Sequence, residues 1–243
     1  MNTLNISRLG LFIRRQITIN IHSFWIALGA IAGILFITSV AVAYFNPYDL
    51  SGLQGLYITA FFLGGLIFTS KIFSELHTPQ KSYALLTLPI SNLEKLIGAW
   101  LVTAPVFVLV YLMFIFIITS ISSLIAGHST ALVQIFSREI WDSIGHYLVI
   151  HSIFFLGACT FKGNNFLKTL FAIFLFTMIL ALFAGLMFLI VFKSTHVQID
   201  NVSPEFQYFI TDVFAKYATY FYWYVLAPFM LVVSYYKLKE RQI

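Results

Sequence analysis

The densest group of side chains able to do chemistry in this chain is Glu139, Asp142 and His146. At i, i+3 and i+7 they share one face of a helix, and His128 stands upstream. Two carboxylates and an imidazole on one face can hold a divalent metal. His151 lies one and a half turns further along, inside an apolar run, where ionisable groups are functional suspects. Simpler readings stand beside these. Acids are favourably placed at a helix start, and a neutral histidine can bond to a neighbouring helix. The chain has no Gly-x-x-x-x-Gly-Lys-Ser/Thr loop to cradle phosphates, no His-Glu-x-x-His zinc helix and no Gly-x-Ser-x-Gly elbow. Its one cysteine, Cys159, allows no intramolecular disulfide.

The elements that must position these groups are unusual in composition. Of 243 residues, 60% are hydrophobic and only 9% charged, with a mean hydropathy of +0.91. Soluble domains carry about 25% charged residues, so a soluble enzyme and a disordered tail are both excluded. The uncharged runs are long enough for helices rather than barrel strands. Six of them approach the roughly 20 residues needed to cross a bilayer: 24–44, 51–70, 97–127, 143–161, 169–192 and 217–236. The fourth is the weakest, since it contains His146 and His151. The reading is an all-α integral membrane protein with six transmembrane helices in one domain.

An even number of spans puts both termini on one side, and lysine and arginine choose which. With cytoplasmic termini the inner segments hold Arg8, Arg14, Arg15, Lys71, Lys81, Lys95, Lys162, Lys168, Lys237, Lys239 and Arg241, against Arg138, Lys193 and Lys216 outside. Eleven against three is a clear positive-inside bias. This distribution, rather than the net charge of +5, is the informative quantity, and it points to a membrane rather than nucleic acid. Trp25 and Trp100 at inner ends, with Trp141 and Tyr217–Tyr224 at outer ends, fit headgroup depth.

Three segments outside the spans carry structure of their own. In 4–22, Ser7, Arg8, Arg14, Arg15, Thr18 and His22 alternate with Leu9, Phe12, Ile13 and Ile17, which predicts an amphipathic helix on the membrane surface. The competing reading is a signal peptide, since Ala41-Val42-Ala43 has the form of a cleavage site. In 75–95, Thr78-Pro79 reads as a helix start, Pro89 as its end, and Ser91-x-x-Glu94 as a capping box opening the third span. Ser203-Pro204-Glu205 begins a further amphipathic stretch through Phe206, Phe209, Ile210, Val213 and Phe214, predicting a short outer helix before the sixth span. Within the spans, Gly29-x-x-x-Gly33 permits close helix approach and marks a possible packing seam, while Pro105 and Pro228 are expected to kink the third and sixth.

This arrangement resembles the membrane subunit of an ABC-2 type transporter: an amphipathic N-terminal helix, a cytoplasmic coupling helix between spans two and three, and short outer helices before the sixth. The wording of Lys81-Ser82-Tyr83-Ala84-Leu85-Leu86-Thr87-Leu88-Pro89-Ile90-Ser91, continued by Glu94-Lys95-Leu96-Ile97-Gly98, is similar to that family's stretch between spans two and three. The resemblance implies a half-transporter in a bacterial cytoplasmic membrane, working with a second copy or a sister permease. ATP and magnesium would be held by a separate ATPase subunit, and this chain would need no cofactor. The coupling loop would use Glu75, His77, Lys81, Tyr83, Leu86 and Glu94, with Tyr83 and Leu86 as an apolar knob and Glu75, His77 and Lys81 as its polar rim. The substrate would be hydrophobic or amphipathic. Two other classes stay open: a membrane-embedded enzyme using Glu139, Asp142, His146 and His151, and a non-transporting membrane anchor or immunity protein.

Overall fold

The computed structural model describes residues 5–19, 21–48, 51–77, 81–83, 87–127, 137–193 and 208–240. Among them there is no strand. The elements are α1 (Ile6–Ile19), α2 (Ile21–Phe45), α3 (Ser51–Lys71), α4 (Asn92–Leu101), α5 (Phe107–Ala126), α6 (Arg138–Thr160), α7 (Asn165–Lys193), α8 (Ala215–Tyr220) and α9 (Ala227–Glu240). A turn of π-helix, Val102–Val106, joins α4 to α5 without a break, and another, Phe221–Leu226, joins α8 to α9. Among the described residues, five helical runs are long and apolar enough to cross a membrane: Gly52–Lys71, Asn92–Ala126, Arg138–Thr160, Asn165–Ile190 and Thr211–Glu240. They mark the chain as a membrane-spanning protein. The helix α2 is 25 residues long, and its stretch Gly29–Phe45 is a shorter apolar run.

Lipid tails are as apolar as leucine, so such helices associate through close packing and hydrogen bonds rather than hydrophobic exclusion. The interfaces here follow that rule. A methyl group on Gly65 would lie 2.5 Å from the Tyr147 ring and 2.7 Å from Phe107, so α3, α5 and α6 meet closely there. Gly145 lies against Trp223 and Gly157 against Thr169 in the same way. Between these contacts run polar ties. The hydroxyls of Ser39 and Tyr57 pair at 2.8 Å across α2 and α3, and Tyr111 Oη donates to the Tyr57 carbonyl at 2.7 Å. Asn165 Nδ2, at the root of α7, donates to the Ser70 carbonyl at 3.2 Å.

Three apolar clusters fill the bundle. One lies at the end that holds α1 and contains Phe12, Ile72, Phe73, Leu76, Val102, Phe155 and Leu238. The middle one centres on Phe61, Phe107, Tyr147 and Phe154. The far one joins Leu35, Leu53, Tyr57, Ile115 and Ile118. At the α1 end, α6 turns into α7 through Gly163 and Asn164, both with positive φ (64° and 48°). Glycine and asparagine are the residues that take this conformation most readily.

Two expectations are refined. The predicted short helix before the last span begins among residues outside the description; its described part, from Tyr208, runs straight into α8 and α9. No proline or glycine lies between Tyr208 and Pro228 to break it. The prolines do disturb their helices, but as π-turns: Pro105 sits inside one and Pro228 two residues beyond another. Proline lacks the N–H that an α-helix needs, and a widened turn absorbs the mismatch.

Candidate functional site

The most organised polar cluster lies around the loop between α3 and α4, and it is built from its local chemistry upward. Ser91 is extended (φ −71°, ψ 157°) and caps α4. Its Oγ accepts from the Glu94 N–H at 3.2 Å, and Glu94 Oε2 accepts from the Ser91 N–H at 2.7 Å. This is the capping box expected from the spacing. The second carboxylate oxygen reaches out of the box to α1. Glu94 Oε1 accepts from the Asn5 N–H at 2.8 Å and lies 3.3 Å from the Arg8 guanidinium. Asn5 is itself the cap of α1, since its Oδ1 accepts from the Ser7 N–H at 3.0 Å. One carboxylate, with no exposed surface of its own, thus closes the N-terminal ends of two helices, where negative charge is favoured.

A second carboxylate holds the other side of α1. Glu75, in the 3₁₀ turn Ser74–His77 and only 5% exposed, receives Arg15 Nη1 at 2.9 Å. Between the two pairs Phe12 of α1 is buried against Gly98 of α4, where an added methyl group would lie 2.6 Å from its ring. His77 Nε2 donates to the Ala158 carbonyl of α6 at 2.8 Å. The loop is therefore fastened at both its ends, to α1 twice and to α6 once.

This changes the expected faces. Arg8 and Arg15, read as part of a headgroup-facing surface, turn inward to Glu94 and Glu75. The outer side of α1 carries Arg14 with the exposed Ile6, Leu11 and Ile17. Glu75 and His77 face the protein rather than forming a rim around Tyr83. Lys81 and Tyr83 are exposed, Tyr83 at 73%. Leu86 and the Thr78-Pro79 start lie outside the described residues. The Thr87 N–H donates to the Tyr83 carbonyl at 3.0 Å. On the neighbouring face of α4, Lys95 is buried, and its ammonium meets no hydrogen-bond partner among the described residues.

The acid–histidine group at the far end does not converge. Glu139 Oε2 accepts from Gln54 Nε2 at 2.5 Å, Asp142 stands 3.7 Å from Arg138, and His146 Nδ1 pairs with Tyr222 Oη at 2.9 Å. Among the described residues no three His, Cys, Asp or Glu side chains gather as metal ligands; His128 lies outside them. His151 is fully buried and bonds Thr103 Oγ1 at 2.8 Å. Among the described residues, no atom of another part of the chain lies within 4 Å of a methyl group added at Gly29 or Gly33.

Sequence reasoning missed the partners of Glu75 and Glu94. A signal was present: Arg8 and Arg15 are two helical turns apart, hence on one face, and those two acids flank the loop between α3 and α4. Comparison with family models, with curated proteins and with solved structures finds no match to this chain.

Proposed function

We propose that the chain is the membrane-spanning permease subunit of an ABC-2 type transporter, driven by a separate ATPase. In this reading α2 is the first of six spans, both termini are cytoplasmic, and the α1 end of the bundle faces the cytoplasm of a bacterial cell. A second copy or a sister permease completes the pathway, and ATP and magnesium reside on the partner ATPase. The exported substrate is hydrophobic or amphipathic, because the spans carry few charges.

The observation that carries the reading is the bracing of the 74–91 loop. A surface that receives a push must be stiff at its base and accessible at its tip. Glu75, His77 and Glu94 tie the base to α1 and α6, while Lys81 and Tyr83 project outward. A push on Tyr83 therefore reaches α1 and α4 together rather than dissipating in a loose loop.

The test is co-purification. The wild-type chain, expressed with a candidate ABC ATPase from the same genome, is expected to retain that subunit in detergent. Tyr83→Ala combined with Leu86→Ala is expected to fold and insert normally but lose at least about tenfold in ATPase retention, the scale of removing an aromatic hot spot. A wild type that never retains an ATPase, or a double variant that retains it fully, would overturn the reading.

A further inference from the structure

The long run Asn92–Ala126 is one helix by continuity but two by packing. Its first part, α4, packs on α1 and α9 and belongs to the cluster at the α1 end. Its second part, α5, packs on α2, with Phe107 and Val108 at its start in the middle cluster and Ile115 and Ile118 in the far one. The change of neighbours falls at the π-turn Val102–Val106, which contains Pro105. There the regular ladder of backbone hydrogen bonds is interrupted, since Pro105 has no N–H to return to Leu101. A helix is most easily bent where its own ladder is already broken.

A neighbouring helix bonds to this turn at Thr103, two residues beyond the Leu101 carbonyl that Pro105 leaves without its α-helical donor. Tyr147 of α6 is fully buried, and its hydroxyl donates to the Thr103 carbonyl at 2.8 Å. One turn further, His151 Nε2 lies 2.8 Å from Thr103 Oγ1. The Thr103 hydroxyl proton is given to the Ala99 carbonyl at 2.9 Å, so His151 is the donor, and its Nδ1 meets no partner. Both bonds between α6 and this turn thus end on Thr103, one on its backbone and one on its side chain. Gly65 of α3 supplies the floor on which the Tyr147 and Phe107 rings rest.

We propose that Val102–Val106 is a hinge between α4 and α5, and that Tyr147 and His151 are the latch that fixes it in the geometry seen here. Releasing the latch lets α4 swing with α1 while α5 stays with α2. The inference does not depend on what drives the motion, so it stands or falls apart from the transporter reading.

The experiment measures distances between nitroxide pairs in lipid nanodiscs, in a Cys159→Ser background. Leu93→Cys with Leu167→Cys spans α4 and the root of α7; Tyr44→Cys with Leu124→Cys reports α2 against α5. All four positions are exposed. With α4 about 15 Å long, a kink of about 20° moves its free end about 5 Å. In Tyr147→Phe the first pair is expected to shift or broaden by about that much, while the second stays as in the wild type. If neither pair changes, or both change equally, the hinge is overturned. Should Tyr147→Phe not fold, Thr103→Val gives the second reading. It removes the acceptor of His151 without changing shape, and the same selective shift is expected; its absence overturns the proposal equally.

Discussion

Gly98 shows how much a single missing methyl group decides. Phe12 occupies the space a side chain would need, 2.6 Å from where a Cβ would stand, so Gly98→Ala must push α1 away from α4. The expected loss is about 1–3 kcal/mol, as for other overpacked contacts, read as a lowered melting midpoint in detergent. Gly29→Ala, with no other described part of the chain within 4 Å, is expected to stay within about 0.5 kcal/mol of the wild type. Equal effects of the two would contradict the packing. The sequence motif pointed to the second glycine and not the first, because a Gly-x-x-x-Gly pattern shows what a helix permits and not which helix lies opposite. The capping box was legible for the opposite reason: Ser91 and Glu94 find each other within three residues. The clamp on α1 joins groups 60 and 89 positions apart, a distance at which one sequence gives no pairing.

At the scale of elements, α1 is held by its two carboxylate partners and by Phe12. If the Arg15–Glu75 pair fastens the helix, then Arg15→Gln, Glu75→Gln and the double variant form a cycle with non-additive stabilities. A coupling of about 1 kcal/mol is expected, between the limits for exposed and buried neighbours. Strictly additive effects would mean that Phe12 alone seats the helix. The long helices themselves were readable from uncharged runs, within a few residues at most ends. The π-turns were not. Proline announced a disturbance in the third and sixth spans, but the groups that bond to it at Thr103, Tyr147 and His151, arrive from another helix.

For the whole molecule, orientation is the property on which the proposed function rests. Single cysteines at positions 48 and 200, in a Cys159→Ser background, are expected to react with an impermeant thiol reagent in intact cells. Cysteines at 80 and 240 are expected to remain unlabelled, and the reverse pattern would place the 74–91 loop out of reach of any cytoplasmic ATPase. The lysine and arginine count carries that expectation; the arrangement of helices around one another was not in it. One consequence of that arrangement concerns α7. Its 29 residues extend about 44 Å, well beyond the roughly 30 Å of hydrocarbon in a typical bilayer. Among the described residues its root is gripped, at Asn165, Phe166, Thr169 and Ile173, and from Leu170 to Ile190 no residue is fully buried. Within this chain nothing fixes the lean of this arm beyond its root, so its tilt is expected to follow bilayer thickness, steeper in a thick bilayer and more inclined in a thin one.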